Sequence, residues 1–239
     1  EERIGRYISD RRDEYYLATK AGCNLVPAGD GTLNTPHTWD RDTLLRNIDE
    51  SLTRMKTDHV DIWQLHNPSP EEVREGDLLD VMQEVRDQGL VRFVSISSTT
   101  PALHTYIEWG TFDTFQIPYS CLQPEHHDVI TKAGEAGMGI IIRGGIGKGG
   151  PEGEVAPEST VDVWEEAGLD EVLPEGMSPS ELILRYTLSH PYCHTTIVGT
   201  LNPDHLAENV ASAKRGALDS DLYDEVSRRV NDALEGNPL

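Results

Sequence analysis

The chain has 239 residues, room for one large domain with a substantial core or for two small ones. Its formal net charge is −22, from 42 acidic against 20 basic residues spread along the whole length. That balance argues against binding nucleic-acid backbone or an anionic membrane surface, both of which need a basic footprint. The acid excess fits a solvated surface that keeps the protein soluble, and the scarcity of Lys among the basic residues also fits a salt-loving source, although a high-GC genome favours Arg over Lys as well. Cys23, Cys121 and Cys193 are widely spaced, with no CxxC. They fit a reducing cytoplasm and give neither a disulfide framework nor a zinc motif. No apolar stretch reaches the ~18 residues of a membrane span, and no signal peptide is visible.

The chain opens at Glu1 inside a helix-like segment, "EERIGRYISDRR". Short apolar, β-branched or aromatic runs then predict strands at 15–20 ("YYLATK"), 60–66 ("VDIWQLH"), 92–97 ("RFVSIS"), 114–120 ("TFQIPYS"), 139–143 ("GIIIR") and 195–200 ("TTIVGT"). Amphipathic segments fall between them. Leu44, Leu45, Ile48, Leu52 and Met55 make one apolar stripe behind Asp40, a candidate N-cap. "DLLDVMQEVRDQG" and "EHHDVITKAGEAG" stop at Gly89 and Gly137, as helices do. "SPSELILRYTLSH" and "NPDHLAENVASAKRG" open on Ser and Asn caps, and "DSDLYDEVSRRVNDAL" closes the chain. The stretch 144–177, rich in Gly, Pro and Glu, reads as irregular.

Such a βα repeat forces parallel strands, in an open doubly wound sheet or an eight-stranded barrel. No linker splits it, so residues 1–239 are expected to form a single domain. In a β/α barrel, chemistry sits at the C-terminal ends of strands. Those ends carry Lys20, His66, Ser97 with Ser98, Arg143, and Gly199 with Thr200, while Gln116 and Tyr119 lie along the fourth strand. Taken singly, each has a plain structural explanation. Their recurrence on six successive units is what points to a site. "GGIGKGG" at 144–150 contains a formal GxGxxG, but Pro151 follows where the dinucleotide fingerprint needs a helix. A flexible loop covering a ligand is the better reading. "HHD" at 126–128 has metal-ligand residue types without a third partner, so no metal is expected.

In order and spacing, "YYLATK", "LLRNIDESLTRMKTDHVDIWQLHNP", "VRFVSISS", "FQIPYS", "GMGIIIRGGIGKG" and "TTIVGTLNPDHLAENV" resemble the aldo-keto reductases over nearly the whole chain. The resemblance implies a TIM-type (β/α)8 barrel and NADP(H), with NAD(H) as the alternative, in an enzyme that the cysteine pattern already places as cytoplasmic. It also implies reduction of an aldehyde or ketone, or oxidation of the alcohol, by an Asp–Tyr–Lys–His tetrad. Lys20 and His66 match the family Lys and His. A Lys ammonium lowers the pKa of the Tyr phenol, which is near ~10 when unperturbed. The His orients the substrate carbonyl. Ser97, Ser98 and Gln116 correspond to the residues on the nicotinamide carboxamide, although Ser98 stands where the family often has Asn. Arg143 stands where many members stack an aromatic ring, and a planar guanidinium can stack too. Gly144, Gly145, Gly147 and Lys148 correspond to the pyrophosphate loop. Gly199, Thr200, His205, Glu208 and Asn209 correspond to the adenosine-phosphate end. Gly199 and His205 replace the Lys and Arg of strongly NADPH-binding members.

"EERIG" resembles the tail of the family's "SEE.(I/L)G" segment, which follows the catalytic Tyr. The catalytic Asp and Tyr and the first two barrel strands are therefore expected before Glu1, and the chain reads as N-terminally incomplete. Two rivals stay open. One is a non-catalytic nucleotide-binding barrel of the same family, acting as a sensor or regulatory subunit. The other is an unrelated barrel enzyme using Lys20 as a Schiff base, in which the 195–209 block has no role. The substrate pocket is expected from loops 21–39 (with His37 and Trp39) and 144–177 and from the C-terminal tail. Oligomeric state is not legible.

Overall fold

The apolar, β-branched runs fold into strands and the amphipathic segments into helices. In the computed structural model, which describes residues 1–24, 26–29, 32–153 and 158–236, six strands carry the βα repeat. They are β1 Ala18–Ala21, β2 Val60–His66, β3 Val91–Ser97, β4 Thr114–Pro118, β5 Gly139–Arg143 and β6 Thr195–Ile197. Two compact units divide the chain, Glu1–Phe115 and Gln116–Leu239, and the division falls inside β4.

In the first unit, β1, β2 and β3 pair in parallel in chain order, with Ala18 opposite Ile62 and Val60 opposite Val91. Its helices are α1 Glu2–Tyr7, α2 Arg41–Met55, α3 Pro70–Glu75, α4 Leu78–Asp87 and α5 Ala102–Trp109. Helix α2 begins where expected: the Asp40 carboxylate accepts the Thr43 N–H at 2.8 Å. It ends on Lys56, which takes a left-handed φ of 53°. Helix α3 was not expected from the sequence. Ser69 and Glu72 each accept the other's backbone N–H, a capping box with Pro70 at the first helical position. Helix α5 was also unexpected, and it opens without a side-chain cap.

Strand β1 starts at Ala18, three residues later than the sequence predicts. The Leu17 N–H donates to the Asp61 side chain at 2.8 Å and the Tyr15 carbonyl accepts from Arg12 at 3.0 Å, so the regular strand begins only at Ala18, although the Leu17 carbonyl still accepts the Asp61 and Ile62 N–H groups at 2.9 Å and 3.0 Å. Asp61 is 2 % exposed, is paired with Arg12 at 2.8 Å and is also bonded to Arg92. Burial alone would raise its pKa, but the Leu17 amide and the two guanidiniums outweigh this and hold the carboxyl below its usual range.

In the second unit, β5 and β6 are parallel, with Ile141 opposite Thr195 and Arg143 opposite Ile197. Its helices are α6 His127–Glu135, α7 Glu158–Glu166, α8 Pro179–Ser189, α9 Pro203–Arg215 and α10 Ser220–Gly236. Ser178 caps α8 and Asn202 caps α9, as the sequence predicts. Buried Glu181 on α8 binds Arg185 at 3.3 Å and Arg215 on α9, tying the two helices together. The stretch 144–177 is not irregular throughout. It holds a 3-10 segment at Gly147–Glu152, helix α7 and a short turn at Leu169–Glu171, anchored where buried Trp164 donates to Asp170 at 3.0 Å. Residues 154–157 of that stretch lie outside the described residues. Strand β6 stops at Ile197 rather than Thr200, because the Thr200 hydroxyl accepts the Asn202 N–H at 3.1 Å in the turn into α9.

Candidate active site

Alternation along the strands of the first unit decides what each face carries. On one face Trp63 and Leu65 of β2 and Val94 and Ile96 of β3 are all buried. The other face changes character along its length. Val60, Ile62, Val91 and Phe93 lie toward the N-terminal end. Then Lys20 stands opposite Gln64, Gln64 opposite Ser95, and His66 opposite Ser97. Five polar residues thus form a column at the C-terminal ends of three parallel strands. Gln64, Ser95 and Ser97 are buried, and Lys20 and His66 are half-buried. The Gln64 amide donates to Ser95 at 3.3 Å, and the Ser95 hydroxyl donates to the Thr114 carbonyl at 2.8 Å. Gln64 and Ser95 were not singled out in the sequence, although the period-two alternation of "VDIWQLH" and "RFVSIS" puts them on the face of His66 and Ser97.

His66 ends β2 because Asn67 takes a left-handed φ of 64° and turns the chain. The Ser98 hydroxyl donates to Asn67 Oδ1 at 3.2 Å, and the Pro68 carbonyl accepts from Tyr106 at 2.7 Å, so the loop after His66 is held from two sides. The loop after β1 folds back over the same end. Cys23 faces His37 across an isolated antiparallel bridge, and the Thr38 N–H donates to the Gly22 carbonyl at 3.0 Å. Trp39 lies so close over Gly22 that a Cβ there would fall 1.8 Å from its ring. The His37 ring stacks on Trp39 at 5.6 Å and meets His66 edge-on at 5.1 Å. Cys23 Sγ lies 2.7 Å from His66 Nδ1. Burial pushes the Cys23 thiol pKa up, and the charge of Lys20 offsets part of this. The sequence offered His37 only as a pocket candidate and gave Cys23 no role. Their meeting with His66 depends on the turn at Gly22, which no spacing rule reports.

In the second unit Gln116 is buried, while Arg143 is exposed at the end of β5. The Arg143 carbonyl accepts the Tyr119 N–H at 3.2 Å. Gly144, Gly147 and Lys148 all have positive φ, at 73°, 55° and 56°, in a tight turn closed by a Gly147 N–H to Gly144 carbonyl bond of 2.8 Å. Gly145 is the fixed base of this turn. Its carbonyl accepts from Thr187 at 2.9 Å, and a Cβ on it would meet Thr196 Oγ1 at 2.4 Å. The turn leads into a short 3-10 segment rather than a long helix, as expected from Pro151. Beyond β6, Gly199, His205 and Glu208 are exposed, and Thr200 and Asn209 are half-buried. His205, Glu208 and Asn209 recur at helical spacing on one side of α9.

The "HHD" segment also resolves. His127 Nδ1 bonds the Tyr119 hydroxyl at 3.0 Å, and its ring meets His190 at 4.6 Å. Burial pushes the Tyr119 phenol pKa far up, so it stays neutral and keeps its O–H near neutral pH. A cavity of about 800 Å³ beside this cluster is lined by Leu122, His127, Tyr186, Tyr223 and Leu234.

Comparison with known proteins agrees with this arrangement. The model of the aldo/keto reductase family matches residues 1–230. The uncharacterized oxidoreductase YqkF of Bacillus subtilis (strain 168) is 25 % identical over 240 residues, covering 91 % of this chain and 74 % of YqkF. A protein of Schizosaccharomyces pombe, whose name is that of a voltage-gated potassium channel subunit beta, is 25 % identical over 95 % of this chain and 73 % of its own length. The solved structure of the aldo-keto reductase AKR11C1 from Bacillus halodurans (holo form) superposes with a TM-score of 0.83 at 23 % identity, covering 95 % of this chain and 77 % of that one. The fold is of the α/β class expected, that of the (β/α)8 barrels. With the strand-end polar column, the order of the motifs and the family model all in agreement, the chain belongs to the aldo/keto reductase family of oxidoreductases.

Proposed function

We propose that the protein is an NADP(H)-dependent reductase that converts an aldehyde or ketone to the alcohol, with Lys20 and His66 as its catalytic residues in this chain. The observation that carries the reading is the polar column of β1, β2 and β3, with Lys20 and His66 on one face at the strand ends. When bound, the nicotinamide supplies the hydride. His66 donates a hydrogen bond to the carbonyl oxygen and orients it. Lys20 supplies the positive charge that lowers a phenol's pKa toward neutrality, which general-acid work requires.

The residues present fit such a cofactor. Buried Ser97, Ser98 and Gln116 offer hydroxyl and amide groups suited to a carboxamide edge. Arg143 offers a planar cation for stacking. The turn runs through buried Gly145 and Gly147 and has Gly144 and Lys148 exposed at its ends, and the Lys148 ammonium is a group suited to a pyrophosphate. Gly199, Thr200, His205, Glu208 and Asn209 are assigned to the adenosine phosphate. With no Lys or Arg at Gly199 and His205, the preference for NADPH over NADH is modest.

The test is NADPH consumption by the full-length protein against a panel of aldehydes and ketones. Lys20→Met and His66→Ala should each lower kcat by about 10²-fold or more while leaving NADPH affinity within about threefold. Variants that turn over at the wild-type rate would remove these residues from the mechanism. The likeness to a protein named as a channel subunit favours one second reading, a nucleotide-binding barrel that serves a partner. That reading predicts NADPH binding without turnover on any carbonyl.

A further inference from the structure

Three donor atoms converge at the C-terminal end of β2. Cys23 Sγ lies 2.7 Å from His66 Nδ1 and 3.4 Å from His37 Nε2, and the two nitrogens are 3.2 Å apart. Among the described residues this is the one group of three His, Cys, Asp or Glu donors gathered so closely. With neutral side chains, hydrogen bonds can occupy two of the three edges of this triangle. In a neutral imidazole, a nitrogen either carries a proton or offers a lone pair, not both. The contact between the two nitrogens therefore needs one donor and one acceptor. With the thiol proton, that leaves two hydrogens for three edges. A cation at the centre uses all three lone pairs at once.

The dimensions agree. Zinc bonds of about 2.3 Å to sulfur and about 2.0–2.1 Å to nitrogen, at tetrahedral angles, set two His nitrogens about 3.4 Å apart and sulfur about 3.6 Å from each. The edges of 3.2 Å and 3.4 Å already lie close to those values, and the 2.7 Å edge must open by about 0.9 Å when a metal binds. The ligand arms are also held in place. Cys23 and His37 are bridged to each other, the Asn24 N–H donates to the Pro36 carbonyl at 2.9 Å, and Trp39 stacks on His37 while covering Gly22. One thiolate with two imidazoles selects zinc-like cations over the hard Mg²⁺ and Ca²⁺.

We propose that Cys23, His37 and His66 form a three-ligand site for a borderline-soft divalent cation such as Zn²⁺, with a fourth position open to water. On binding, the Cys23 thiol releases its proton to solvent and the sulfur–metal bond forms, with no change of oxidation state. One consequence rests on the reductase reading above. A metal on His66 Nδ1 leaves the ring proton on Nε2, so the ring keeps a donor for a carbonyl oxygen while losing its freedom to turn.

The test is a Co²⁺ titration of the metal-free protein, followed by absorption. Saturation at one Co²⁺ per chain is expected, with a thiolate-to-cobalt charge-transfer band in the near ultraviolet and the intense visible bands of a four-coordinate ion. Cys23→Ser should abolish the charge-transfer band, and Cys193→Ser should leave it intact. His37→Ala should weaken Co²⁺ binding at least about tenfold, since even outer-shell losses cost about 10–100-fold. His37 is exposed on a loop, so this variant tests the site even if Cys23→Ser fails to fold. A saturated protein without the charge-transfer band, or a folded Cys23→Ser variant with the wild-type spectrum, overturns the proposal, and so does wild-type Co²⁺ affinity in His37→Ala. These readings need no turnover. A protein that binds Co²⁺ but reduces nothing keeps the metal site and loses the reductase.

Discussion

At the scale of single residues, position in the sheet decides what a polar group does. Asp61 and His66 lie five residues apart on β2, on opposite faces and near opposite ends. Asp61 is locked into a buried ion pair with Arg12 and Arg92, whereas His66 stands half-buried beside Cys23 and His37. His190, in the second unit, is held neutral. Its Nδ1 accepts the Tyr192 N–H at 3.1 Å, and Nε2 faces the His127 carbonyl at 3.3 Å. Burial, with the neighbouring His127 adding to it, pulls its pKa from the usual 6.5 down to about 4. Above pH ~6.5 the ring is neutral in both the folded and the unfolded chain, so it adds no pH dependence there. Below that, the unfolded chain takes up the proton and the folded one does not, so stability falls as pH drops from ~6.5 toward 4, by about 3 kcal/mol. Urea denaturation at pH 7 and pH 4.5 should show this loss, and His190→Gln should flatten it. An equal slope in both proteins would mean that His190 does not set it.

At the scale of elements, the sequence was most legible where one local rule suffices. Strands β2 and β5 have the predicted bounds, Gly89 and Gly137 turn with positive φ where helices were expected to stop, and Asp40, Ser178 and Asn202 cap as read. Helix α3 announces itself only by the Ser69–Glu72 capping box, because Pro68 and Pro70 on either side of Ser69 also suit a turn. Helix α5 has no side-chain cap to announce it, and α7 lies between Pro- and Gly-rich segments that mask its periodicity. For the candidate site, Lys20, His66 and Ser97 were legible because strand ends collect polar residues. Cys23 was not, because its role depends on a loop turned back by Gly22 and covered by Trp39. The turn after β5 makes a sharp prediction. Gly145→Ala must push a methyl against Thr196 and Thr187, a strain of about 1–3 kcal/mol. Thermal unfolding should report that loss, and NADPH affinity should fall about tenfold as the turn shifts. Unchanged affinity in a destabilised protein would separate this turn from the nucleotide.

At the scale of the whole molecule, the net charge of −22 sets the response to salt. Like charges on a folded surface repel one another, and salt shortens the reach of that repulsion to about 3 Å at 1 M. Melting should therefore move upward between 0.05 M and 1 M KCl, by about 2–4 °C for each kcal/mol of repulsion relieved. A melting temperature that is flat or falling over that range would show that the acidic surface carries no such cost. No helix among the described residues is long and apolar enough to cross a membrane. The family assignment rests on nearly the full length of the chain, while the cofactor rests on the proposed residues. The most direct test is calorimetric titration with NADPH and, separately, with NADH. The predicted result is saturable binding of NADPH at one site per chain, with a Kd below about 1 mM and weaker binding of NADH. No saturable heat with either nucleotide would contradict the account at its centre.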